Sequence, residues 1–68
     1  MFVIQVVNCN GFVGYVKSVS SRNRIGFSIT KHLDYAKVYK NADLVMCDID
    51  DLVRSSFGTG YQFTYIPR

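Results

Sequence analysis

Two apolar runs near the start of the chain, one ending in Val6-Val7 and the other opening at Phe12-Val13, are separated by a polar break centred on Asn10-Gly11. Asn-Gly between apolar runs is the favoured centre of a two-residue type I′ hairpin, because both residues tolerate positive φ. Such a turn predicts strands over about residues 2–8 and 12–19. It also sets a register: Cys9 opposite Phe12, Val7 opposite Gly14, Gln5 opposite Val16 and Val3 opposite Ser18. Residues 20–24 read as a polar loop, and 25–30 alternate cleanly as a third strand. A fourth strand is predicted over residues 61–66, after the breaker Gly58-Thr59-Gly60 and before Pro67.

Between the third and fourth strands the period changes. Val45, Ile49, Leu52, Val53 and Ser56 follow the spacing of one helical face, with Ala42 and Met46 beside them. Asn41 or Asp43 can cap the start of this helix, and Gly58 or Gly60 can end it. Thr30 can cap a short turn through Leu33-Asp34-Tyr35-Ala36, after which Lys37-Val38-Tyr39-Lys40 crosses to the helix. The order is β-β-β-turn-α-β. The expected fold class is α+β: a small antiparallel sheet with one amphipathic helix packed on one face, as a single domain over residues 1–68.

The hairpin register divides the strand residues between two faces. Phe2, Ile4, Val6, Val13, Tyr15 and Val19 share one, with Lys17 its only charge. This is the more apolar face and the one assigned to the helix, together with Ile25, Phe27, Ile29, Tyr61, Phe63 and Tyr65. The other face carries Val3, Gln5, Val7, Phe12, Gly14, Val16 and Ser18. Val3, Val7, Phe12 and Val16 would form an apolar patch there, of the kind that marks association sites. A partner or a second copy of the chain could cover it, residues 30–40 could fold over it, or the small residues could simply be tolerated there.

Composition narrows the classes of activity. A chain of 68 residues, 49% hydrophobic and 19% charged, is globular and supports only a small core. The N-terminal run is too short for a membrane span and lacks the basic region of a signal peptide, so a cytoplasmic protein without a membrane is expected. Cys9 and Cys47 are too few for a disulfide framework and read as reduced small hydrophobes; a single bridge from hairpin to helix is the alternative. The net charge of +3 is unevenly placed. Residues 17–40 hold Lys17, Arg22, Arg24, Lys31, Lys37 and Lys40 against Asp34 alone, whereas 43–51 hold Asp43, Asp48, Asp50 and Asp51 and no base. A basic hairpin half and an acidic helix suit steering toward a charged partner. Arg22 and Arg24 on one turn can grip carboxylate or phosphate.

Catalytic chemistry finds no support. His32 is the only histidine and has no base or orienting residue near it in sequence. Neither cysteine shows a thiolate–imidazole pattern, and no serine sits in a nucleophile elbow. Asp48 and Asp51 lie three apart on the helix, which offers at most two ligands to a hard cation that wants six or more oxygens. No enzyme activity, cofactor or metal is expected.

Phe27-Ser28-Ile29-Thr30, then Ala36-Lys37-Val38-Tyr39, the amphipathic helix and the closing aromatic strand together resemble a pattern in small phage-encoded and mobile-element proteins. The resemblance implies an accessory or host-takeover role, a class that includes anti-CRISPRs and other inhibitors that bind and block without catalysis. The class shares no common site, so no functional residue is carried over from it. The sequence therefore points to a non-enzymatic protein that binds a bacterial host or defence protein. Its expected contacts are Arg22, Arg24 and Lys17 with the apolar face of Val3, Val7, Phe12 and Val16. The alternative is nucleic-acid binding through residues 17–40, with Tyr15, Tyr35 and Tyr39 interleaved among the bases.

Overall fold

The computed structural model describes residues 1–20, 26–55 and 60–68. Its elements are β1 (Phe2–Asn8), β2 (Gly11–Ser20), β3 (Gly26–Thr30), a 3-10 turn (Leu33–Tyr35), α1 (Ala42–Ser55) and β4 (Gln62–Pro67). The strands form one antiparallel sheet in the order β3-β2-β1-β4, and α1 packs on one face of it. The expected α+β class is the observed one. β1 is central and is the most apolar strand, as a strand covered on both faces should be. Its neighbours Val3 and Ile4, which point to opposite faces, are both fully buried.

The first hairpin departs from the expected register. Asn8 pairs with Gly11, Val7 with Phe12, Val6 with Gly14 and Gln5 with Tyr15. The turn residues are Cys9 and Asn10, not Asn10 and Gly11. A type I′ turn would need positive φ at both central residues, and among the described residues no non-glycine residue has it. Gly11 follows the turn at φ 114°, and the Asn8 Oδ1 accepts the Asn10 N–H at 2.9 Å, closing a local side-chain turn. The ladder then slips again, because Val13 is an extra residue opposite the Val6–Val7 step. A second irregularity falls at Lys17, where Val16 pairs with Ile29 but Ser18 with Ser28.

These two bulges re-aim β2. Phe12 and Tyr15 come to one face, their rings 5.3 Å apart and near perpendicular. Val16 turns to the other and is fully buried beside Ile4, Val6, Val45, Leu52 and Phe63. The expected places of Tyr15 and Val16 are therefore exchanged. Val13 and Val19 keep their helix-side places, and Phe27 and Ile29 join them.

α1 begins where its cap dictates. The Asn41 side-chain oxygen accepts the Leu44 N–H at 3.0 Å, leaving Asp43 as the acidic residue of the first turn. Val45 and Leu52 are the fully buried residues of the helix, with Ile49 and Ala42 packed against the core. Val53 does not share this face; it is 53% exposed. Ser56 and Gly58, expected near the helix end, lie outside the described residues, as does Ile25 at the expected start of the third strand.

The crossover from β3 to α1 is hydrogen-bonded to the sheet. The Thr30 hydroxyl accepts the His32 N–H at 3.2 Å, and the 3-10 turn follows. β1 and β2 separate beyond the Gln5–Tyr15 pair, and the crossover enters the gap. The Lys37 N–H donates to the Val16 carbonyl at 2.9 Å, while Tyr39 and Phe2 exchange two backbone bonds of 2.8 Å. Val3 and Ala36 are buried outside the helix-side core. Residues 30–40 thus cover the Val3 end of the sheet face that the helix leaves free. Cys9 and Cys47 are both exposed and unpaired, not buried as small hydrophobes.

One side-chain cluster fastens the crossover to the helix. The Tyr39 hydroxyl donates to the Asp48 Oδ2, and the Lys37 Nζ lies 3.3 Å from the same oxygen and 5.0 Å from the centre of the Tyr39 ring. Burial holds the Tyr39 hydroxyl protonated well above its ordinary value, and the bond to Asp48 and that residue's charge add to this. A phenol harder to ionise in the folded chain than in the unfolded one contributes its full stability below the unfolded pKa of about 10. Stability should therefore fall as pH rises above about 10, and Tyr39→Phe should remove that alkaline loss. At neutral pH the same substitution is expected to cost about 1.5 kcal/mol, because it deletes a bond to a charged acceptor. Urea unfolding of both proteins at neutral pH and at alkaline pH measures both effects.

Candidate functional site

The surface best suited to binding is the remainder of the sheet face opposite α1. All five aspartates lie in the 3-10 turn or the helix, and Lys17 is the only charged residue within the four strands. The face therefore presents no strand carboxylate. Pairing places Val7 beside Phe12 and Gln62, and Gln5 beside Tyr15 and Thr64, on this side. Tyr15 is in turn paired with Thr30. The result is an apolar and aromatic centre of Val7, Phe12 and Tyr15, ringed by uncharged polar side chains.

Of the residues expected to make contact, the structure brings only some together. Phe12 is 52% exposed and Val7 is half-buried beside it. Lys17 is exposed at the second bulge of β2. Val3 and Val16 are fully buried and unavailable to a partner: Val3 lies at the end of the face crossed by residues 30–40, and the bulges rotate Val16 into the helix-side core. Arg22 and Arg24 lie outside the described residues, in the connection between β2 and β3.

Tyr15, Gln5 and Thr64 belong to the site although strict alternation did not bring Tyr15 and Phe12 together. The signal in the sequence was Lys17, a charge set by alternation into the middle of the face meant for the core. A bulge resolves that conflict by displacing it. Of the other tyrosines proposed for stacking, Tyr35 is exposed and lies 5.7 Å ring to ring from His32. Tyr39 is 5% exposed and cannot stack on a ligand.

The ion pair of Arg68 and Asp34, 3.3 Å apart, lies at the far end of this face where the 3-10 turn meets the last residue of the chain as given. Exposed pairs of this kind add little stability. Among the described residues no group of three His, Cys, Asp or Glu side chains converges as a metal site, and no helix is long and apolar enough to cross a membrane. In comparisons with known proteins, no family model, curated protein or solved structure matches the chain.

Proposed function

We propose that the protein is a non-enzymatic binding module whose sheet face of Val7, Phe12 and Tyr15 docks onto a bacterial host or defence protein and blocks or modulates it. The observation that carries this reading is the clustered aromatic pair on a face whose strands hold one lysine and no carboxylate. Aromatic anchors surrounded by uncharged polar groups are the usual centre of a protein interface. Lys17, exposed on β2 and the only charge within the strands, favours an acidic partner surface. The resemblance to phage accessory proteins supplies the class of target.

A tagged protein drawn through bacterial lysate, with and without nuclease, tests this. One stoichiometric protein is expected to survive nuclease. Phe12→Asp with Tyr15→Ala should weaken its retention about thirtyfold or more, the loss of a hot-spot anchor. Val53→Asp, on the exposed side of α1, should leave it unchanged. Retention indifferent to the Phe12 and Tyr15 changes would remove this face from the reading.

The same aromatic pair favours one second reading, a single-stranded nucleic acid laid across the sheet with bases stacked on Phe12 and Tyr15. Binding of a short oligonucleotide that falls steeply with added salt would support it. A flat response at low salt would dismiss it.

A further inference from the structure

On the other side of the molecule, the outer edge of β4 runs along a groove of about 330 Å³ against α1. Met46, Ile49, Asp50, Phe63, Thr64 and Tyr65 line it. The phase of the β1–β4 ladder fixes which backbone groups face outward. The Arg68 N–H donates to the Met1 carbonyl at 2.8 Å, and the same ladder pairs Val3 with Ile66 and Gln5 with Thr64. Antiparallel pairing alternates bonded and non-bonded pairs, so Gln62, Thr64 and Ile66 turn their amide and carbonyl groups to β1. Phe63 and Tyr65 turn theirs away, along the free edge. The two residues with outward backbone groups are thus the same two whose side chains wall the groove.

Natural edge strands are usually guarded by charges, bulges or an early proline. β4 carries no charged residue from Gln62 to Pro67, pairs with β1 without a register shift, and meets proline only at its last position. Beside the β4 groove stands Asp50, exposed and without an ion-pair partner among the described residues, and Met46 one turn away is 52% exposed.

We propose that this edge accepts an extended peptide segment of a partner protein as a fifth strand, between β4 and α1. Its backbone pairs with Phe63 and Tyr65, alternate apolar side chains enter the groove against Met46 and Ile49, and a lysine or arginine meets Asp50. Main-chain bonds give such strand addition its affinity, and the alternate side-chain pockets give its specificity. Charge decides the occupant. A second copy brings no basic residue within its own β4 to meet Asp50, whereas a basic peptide does.

The test uses the whole chain and a capped heptapeptide, Thr-Val-Thr-Lys-Thr-Val-Thr, whose two valines and lysine share one face of the strand, followed by amide NMR and hydrogen exchange. The Phe63 and Tyr65 amides should shift and slow in exchange by tenfold or more, while Thr64, already in the ladder, should not slow further. Tyr65→Pro removes an outward N–H without touching the β1 ladder and should abolish binding; Tyr65→Val should retain it. A peptide with glutamate for lysine should bind about tenfold more weakly. No response of β4 at millimolar peptide, or an equal response to a peptide N-methylated at both valines and the lysine, whose amides face β4 in the proposed pairing, would overturn the proposal. So would a free protein that sediments as a dimer with Phe63 and Tyr65 already protected, since the edge would then belong to a second copy.

Discussion

Replacing Leu52 with alanine is expected to cost about 2–5 kcal/mol, the range for a leucine removed from a packed core that cannot collapse around the gap. Leu52 is fully buried and sits in the one cluster that joins α1 to all parts of the sheet, with Ile4, Val6, Val16, Val45 and Phe63 around it. A domain of 68 residues has a total stability of only about 3–10 kcal/mol. The variant should therefore lose a large share of its stability, and its urea midpoint should fall by roughly half. Val53→Ala, one residue away but on the exposed side, should change stability by no more than about 0.5 kcal/mol. Alanine is there the better helix former, which offsets the small loss of contact. Urea unfolding of both variants checks the pair. Equal losses would mean that α1 packs through a different face.

That contrast between neighbours also shows which parts of the molecule were legible from sequence. The helix was read from its period and its cap, and both Val45 and Leu52 were placed on its buried face. Val53 was added to that face because the i+8 position falls within a broad apolar stripe; in the structure the buried stripe is narrower. β1, β3 and β4 were legible because each is short and alternates regularly. β2 was not. Two bulges in a ten-residue strand break the rule that alternate residues share a face, and a bulge has no hydrophobic signature of its own.

The error at β2 carried straight into the candidate site. Val16 was assigned to the free face and Tyr15 to the core, and their exchange replaces an aliphatic patch with an aromatic pair. The covering of Val3 was open in the sequence, since residues 30–40 have no period. Their backbone bonds to Phe2 and Val16 hold them at that end of the sheet, where Val3 and Ala36 are both buried. Sequence reasoning did place the charges correctly along the chain. What it lacked was their distribution in space: every aspartate ends in the 3-10 turn or the helix, and one lysine alone falls within the strands.

Gly14→Ala is expected to destabilise the protein by about 1–3 kcal/mol or more, against the usual sign for glycine in a strand. A glycine in ordinary extended backbone loses entropy on folding, so alanine normally helps. Here a methyl group would stand 2.6 Å from the Ile29 Cγ2 and 2.8 Å from the Thr30 carbonyl oxygen. The first contact involves a side chain that can be trimmed. The second involves the backbone of β3, held in register by the Tyr15–Thr30 and Val16–Ile29 pairs. Ile29→Ala in the Gly14→Ala background should therefore recover part of the interaction penalty and leave the rest. A double-mutant cycle in urea measures that coupling. Amide exchange should locate the residual damage at the β2–β3 ladder, with faster exchange in β3 and little change between β1 and β4. Complete recovery would show that only the isoleucine stands in the way. Partial recovery would identify Gly14 as the position that lets β3 close on β2 just where the first bulge has turned the strand, and so as a condition for Phe12 and Tyr15 sharing a face.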